Sequence, residues 1–184
     1  IFVMPREMNT LPTTRAIGDT DRIRELVERG MPDLYRGFGQ KVFEFSEICA
    51  EVFAKYPNIQ RYVDVYHPDT QGPLDICELL WGCDMFIAMY EEPEWVVDMF
   101  NTYLDRCIDL FGQIWDAGYH FDCISWPDDM GYKGAPFFSP AMYRELLKPY
   151  HKRAADWAHE HGAVVELHSC GFIQPLVPDL VEIG

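Results

Sequence analysis

The chain has 184 residues, 48% hydrophobic and 15% aromatic, with 30 acidic against 15 basic side chains and a formal charge of -15. This composition supports a buried core and excludes a disordered chain, while the negative balance repels phosphate backbones and anionic lipid surfaces, which sets aside nucleic-acid and membrane partners. No run of about eighteen apolar residues occurs and no charged segment followed by an apolar one opens the chain, so a cytoplasmic protein without membrane span or signal peptide is expected.

From the first residues onward, Thr20 to Arg29 reads as a short helix with Ile23, Leu26 and Val27 inward and Gly30 as its stop. From about Gln40 to Tyr56, Val42, Phe45, Cys49, Val52, Phe53 and Tyr56 recur at helical spacing, and Pro57-Asn58 ends the run. Tyr62 to Tyr66 is a strand pattern. A loop from His67 to Pro73 follows, and Leu74 to Trp81 reads as another short helix. The longest apolar stripe runs from Pro93 to Ala117, through Val96, Met99, Phe100, Tyr103, Cys107, Ile108, Phe111, Ile114 and Trp115. Pro93 and the acids around it suit the first turn of that helix. Phe121 to Trp126 is a strand that empties into Pro127-Asp128-Asp129-Met130-Gly131. Ser139-Pro140 then opens a helix to about His159, with Tyr143, Leu146, Leu147, Tyr150, Ala154 and Trp157 inward and a kink expected at Pro149. Ala163 to His168 is a strand, and the start of one more helix follows it.

Strands separated by long amphipathic helices predict parallel pairing by crossover and an α/β fold. In such folds the loops leaving the carboxyl ends of the strands build the site. Three strand ends should therefore converge: the loop from His67, the Asp128-Asp129 loop and the His168-Ser169-Cys170 loop. No Gly-rich phosphate loop follows a strand, so dinucleotide binding has no support. A closed barrel of eight units takes about 250 residues, and three or four units are visible, so the chain reads as a fragment of one.

The chemistry concentrates at the last strand end. Alternation puts Glu166, His168 and Cys170 on one face and Val165 and Leu167 on the other. An imidazole and a thiol two residues apart are zinc-ligand types, although a structural site takes four ligands, and a strand-end histidine or a buried cysteine equally serves packing. The other five cysteines, at 49, 77, 83, 107 and 123, form no C-x-x-C pair and read as reduced thiols, mostly core fillers. Asp128 and Asp129 leave their strand together. They suit acid-base work, substrate hydrogen bonding or support of a metal, and equally suit Asx-type turn caps. Only one of them can point inward, and Asp129 is the choice. His67 and Tyr132 are placed at the same mouth, with Lys133 beside them. Glu166, deeper by about seven ångströms, suits inner packing or a hydrogen bond that orients His168. His159 and His161 flank a helix end and are expected at the surface.

Several segments, in order, resemble the uroporphyrinogen decarboxylase family, which includes corrinoid-dependent methyltransferases. They are Gln71-Gly72-Pro73-Leu74 with Leu79-Leu80-Trp81-Gly82, Glu92-Pro93-Glu94-Trp95-Val96, Asp128-Asp129-Met130-Gly131, Phe138-Ser139-Pro140-Ala141-Met142-Tyr143 with Lys148-Pro149-Tyr150, and Leu167-His168-Ser169-Cys170-Gly171 through Val177-Pro178-Asp179-Leu180 and Gly184. The resemblance implies a (β/α)8 TIM barrel of which residues 1–184 form one partial domain, helical and irregular to about residue 60 and built of β/α units from about residue 61. In the methyltransferase branch the H-x-C element belongs to a zinc site, so the resemblance implies His168 and Cys170 as metal ligands with a further cysteine beyond Gly184. The implied reaction moves a methyl group from a methylated corrinoid, carried by a partner protein, to a thiol or similar small-molecule acceptor. Asp129 and Asp128 would then be the catalytic candidates, and His67 and Tyr132 the cofactor-binding ones. The decarboxylase branch, metal-free and acting in porphyrin biosynthesis, has an arginine-rich N-terminal motif that Arg6, Arg15, Arg22 and Arg24 do not reproduce. It stays as the alternative, beside a non-enzymatic corrinoid- or tetrapyrrole-binding module.

Overall fold

The structure, a computed structural model, describes residues 21, 25, 28, 29, 40–67 and 70–184. Of the helix expected from Thr20 to Arg29, Asp21, Glu25, Glu28 and Arg29 are helical, while its inward residues Ile23, Leu26 and Val27 lie outside the described residues. Two parallel strands, β1 (Cys123–Pro127) and β2 (Val164–His168), pair in register from Cys123 opposite Val164 to Pro127 opposite His168. The chain between them crosses over through a helix, as strand order and spacing predict for parallel neighbours.

The expected strand from Tyr62 to Tyr66 shrinks to one parallel bridge, Tyr66 to Cys123. A 3₁₀ turn, Ile59–Arg61, precedes it and captures the Tyr62 N–H, and the Asp122 side chain takes the Val65 N–H at 2.8 Å. Ladder pairing therefore begins only where the Val65 carbonyl accepts from Asp122 and Cys123.

Among the described residues from Gln40 onward, five helices precede β2. They are α1 (Gln40–Lys55), α2 (Pro73–Trp81), α3 (Asp84–Glu91), α4 (Pro93–Asp116) and α5, which runs as Pro140–Met142, a π turn Tyr143–Leu147 and Lys148–Glu160. A 3₁₀ turn, Gln174–Leu176, and α6 (Val177–Ile183) follow β2. The expected long stripe is the core: Val96, Met99, Phe100, Leu104, Cys107, Phe111 and Ile114 of α4 are all buried. Against it lie Ile124 and Trp126 of β1 and Tyr143, Leu147 and Ala154 of α5, with Val165 and Leu167 of β2 partly buried on the same side. The opposite face of β2, carrying Val164, Glu166 and His168, is exposed.

Two elements differ from expectation. Helix α3, between Trp81 and Pro93, has no counterpart in the sequence reading; Gly82 at a φ of 82° breaks the chain before it, and Met85, Ala88 and Met89 anchor it. Helix α1 forms over the expected span but buries no residue: Phe45, Val52 and Tyr56 are exposed, and only Val42 and Phe43 lean on the core. Pro149, expected to kink α5, is preceded by the π turn. Lacking an N–H, Pro149 cannot complete the α ladder one turn back, and the ladder widens there to i→i+5.

Candidate metal and active site

The three expected loops meet at the carboxyl ends of the strands. Gly72 N–H donates to the Pro127 carbonyl at 2.6 Å, and Asp128 N–H to the His168 carbonyl at 2.8 Å. The second and third loops approach backbone to backbone. A Cβ at Gly131 would sit 2.7 Å from the Cys170 carbonyl oxygen, and Gly171, at a φ of 75°, faces the Gly131 peptide in return. Glycine supplies both the close approach and the left-handed backbone that this contact requires. Beyond it, Phe172 N–H bonds the Tyr132 carbonyl, and Met130 N–H bonds Ser169 Oγ at 2.8 Å.

Asp129, His168 and Cys170 are brought together on the open side of this junction. His168 Nε2 lies 3.4 Å from Cys170 Sγ and 3.9 Å from Asp129 Oδ1. Their three donor atoms all fall within 4.8 Å of one another, the one such group among the described residues. Tetrahedral zinc, with bonds of about 2.0–2.3 Å, holds neighbouring ligand atoms roughly 3.3–3.6 Å apart; the His168–Cys170 pair matches that spacing, and Asp129 stands a few tenths of an ångström wider of His168. Asp129 Oδ1 also accepts the Cys170 N–H at 2.6 Å, which ties the two loops. The same carboxylate pushes the Cys170 thiol up from its ordinary value, by hydrogen bonding first and by charge second.

The two adjacent aspartates take opposite sides. Asp128 is fully buried: its Oδ2 lies 2.7 Å from His151 Nε2, and its Oδ1 accepts the Asp75 N–H at 2.8 Å. On the other side of the ring, His151 Nδ1 lies 3.1 Å from the Tyr143 hydroxyl. Asp128 is thereby kept from the open side, while Asp129 reaches it. Asp75, in the first turn of α2, accepts the Asp129 N–H at 2.9 Å. Burial, with the charges of Asp128 and Asp129 adding to it, pushes the Asp75 carboxyl up to about 6, against the lowering effect of that hydrogen bond.

His67, expected at the mouth, is instead buried edge-on against Phe111 and Phe121, with ring centroids 4.4 and 5.0 Å away and Thr70 Oγ1 3.2 Å from Nδ1. Alternation explains the correction: Tyr66 takes the open face, where its hydroxyl donates to Glu166 at 3.2 Å, so His67 must point to the helices. Glu166 accordingly bonds Tyr66 rather than orienting His168. Tyr132 is exposed, its ring 6.1 Å from Phe137 with Lys133 Nζ 5.9 Å above it. His161 is half-buried, stacked 3.9 Å from the Trp157 ring, whereas His159 is exposed. All six cysteines are free; burial pushes the Cys77 thiol up and the Cys107 thiol up to about 12, as suits core fillers.

Sequence reasoning missed Asp75, His151 and Ser169. A signal existed for the first two. Asp75 is an acid in the first turn of a helix opened by Gly72-Pro73, and His151 sits on the α5 stripe between Leu147 and Ala154, a place where a polar residue needs a buried partner.

Parallel strands joined through an amphipathic helix, with ionisable groups gathered where the strands end, define an α/β protein that assembles its chemistry at the carboxyl end of the sheet. Residues 82–184, more than half of the chain, match the uroporphyrinogen decarboxylase (URO-D) family, and the chain belongs to that family. Among solved structures it is similar to a methyltransferase from Methanosarcina mazei, with 22% identity, a TM-score of 0.62, and coverage of 82% of this chain and 41% of that one. The likeness is one of fold, and the chain spans less than half the length of that protein. No curated protein matches the chain. No helix among the described residues is long and apolar enough to cross a membrane.

Proposed function

We propose that residues 1–184 are part of a (β/α)8 barrel of the methyltransferase branch, zinc-dependent, which moves a methyl group from a methylated corrinoid on a partner protein to a thiol or similar acceptor. The observation that supports this reading is the meeting of Asp129, His168 and Cys170, three different donor types whose ligand atoms all lie within 4.8 Å of one another. A thiolate, an imidazole and a carboxylate fit zinc, and His168 and Cys170 would hold it with Asp129 as a third protein ligand. Zinc bound there would supply the Lewis acidity that turns an acceptor thiol into a thiolate near neutral pH. The chain's own residues do the rest. Asp129 anchors the Cys170 backbone, the Gly131–Gly171 contact fixes the two loops against each other, and Tyr132 stands at the exposed rim for a partner or acceptor.

Metal content decides the matter. Zinc measured in the purified protein should be near stoichiometric and should fall with His168→Ala and with Cys170→Ala. A protein that never retains metal, yet turns over uroporphyrinogen and ignores Cys170→Ala, would transfer the assignment to the decarboxylase branch.

A further inference from the structure

One continuous path of hydrogen bonds runs from the core to the open side. His151, 2% exposed, holds Asp128; Asp128 accepts from Asp75; Asp75 accepts from Asp129; and Asp129 accepts from Cys170, with every separation between 2.6 and 2.9 Å. Asp128 is wedged as well as bonded, since a Cβ on Gly72 would overlap its carboxyl carbon. With both oxygens committed and no exposed surface, Asp128 cannot touch a substrate or a metal. It acts through what it holds, namely the first turn of α2, whose Asp75 N–H it accepts.

From this geometry we infer that His151 and Asp128 are positioning residues: the buried pair sets the place of Asp75, and Asp75 in turn holds Asp129 and Cys170 at ligand spacing. The inference rests on the metal-site reading above. It explains why a buried hydrogen-bonded pair sits beneath an exposed ligand set: a carboxyl group with two fixed partners has little freedom to turn, and each following bond passes that restraint outward. Outer partners of metal ligands commonly account for 10–100-fold in metal affinity.

The test uses the purified protein with Zn²⁺ as probe, titrated against a chromophoric chelator, and in parallel the rate of iodoacetamide alkylation at Cys170, read by peptide mass. His151→Ala and Asp75→Ala are expected to weaken Zn²⁺ binding about 10–100-fold and to speed Cys170 alkylation severalfold. His151→Gln keeps a donor to Asp128 and Asp75→Asn keeps an acceptor for Asp129, so both should recover most of the loss. Folded variants with wild-type affinity and alkylation rate would overturn the inference and leave the pair a packing feature. If His151→Ala does not fold, Asp75→Ala, at a half-buried position, decides. If the wild-type protein takes up no Zn²⁺, the metal reading fails by itself, and Cys170 alkylation in the Asp75 variants still supports or overturns the positioning role.

Discussion

The Asp129 N–H donates to the Asp75 carboxylate at 2.9 Å, so an acid in the first turn of α2 and an acid in the loop after β1 are joined through one backbone group rather than separated by a cation. That arrangement gives Asp75 a pH dependence of definite sign. Its folded value, about 6, lies above the ordinary 3.8, so the folded state binds the proton more tightly. Its contribution is therefore full below about pH 4 and lost as pH rises toward 6. Because the residue is only half-buried, the loss should be about 1 kcal/mol rather than the ~3 kcal/mol of a full two-unit shift. Urea unfolding of wild type and Asp75→Asn from pH 4 to 8 checks it: the variant should lack this slope, and parallel curves would refute the assignment.

Asp179 works in the opposite sense. Arg144 Nε and Lys148 Nζ, both 2.9 Å from its Oδ1, hold its carboxyl below the ordinary range. Its stabilisation is present above the unfolded value and is lost as pH falls through the folded one, so acid should loosen α6 from α5 below about pH 4. Amide exchange in α6, compared between wild type and Asp179→Asn, should show protection that depends on acid pH only in wild type.

Asp128→Ala removes one member of a pair in which both side chains are buried, 2.7 Å apart. The remaining histidine and the freed Asp75 N–H should cost about 3–5 kcal/mol in chemical unfolding. Asp128→Asn, which keeps an acceptor for Asp75, should cost clearly less. Equal losses would mean that charge, not the hydrogen-bonded frame, matters at this position.

Gly171→Ala faces both a left-handed backbone and the Gly131 peptide, neither of which can give cheaply. The backbone alone costs about 1–2 kcal/mol, and the overlap adds to it. Thermal unfolding should fall by several degrees and Zn²⁺ uptake should fall with it, because the contact sets the distance between the loops that carry Asp129 and Cys170.

His67→Leu separates the aromatic packing of His67 from the site. The structure predicts a change in stability within about 2 kcal/mol and unaltered Zn²⁺ affinity, since the ring lies between Phe111 and Phe121 rather than at the mouth. A large loss of metal binding would return His67 to the site.

Periodicity alone was enough for α4, α5 and both strands, because their apolar stripes face a core made of the same chain. It placed the helix α1 but overstated its burial, since of the expected stripe only Val42, Cys49 and Phe53 are partly buried, and it misled at Tyr62–Tyr66, where a side-chain carboxylate takes a ladder bond. The convergence of three strand ends was legible from α/β connectivity. For Asp75 the sequence offered only a local signal, an acid in a helix first turn, because its partner Asp128 lies 53 positions away. Alternation said that only one of Asp128 and Asp129 could point inward and not which, and what holds Asp128, His151, required the tertiary contact.

The π turn in α5 has an angular consequence. In a regular α-helix, residues eight apart are offset by about 80° around the axis, which would aim Tyr143 and His151 in different directions. A π turn absorbs one extra residue, so these eight behave as seven, and seven leave an offset of only about 20°. The two side chains then share one azimuth, and the Tyr143 hydroxyl can reach His151 Nδ1 at 3.1 Å. Pro149 thereby decides by helical arithmetic which phenol faces the buried imidazole.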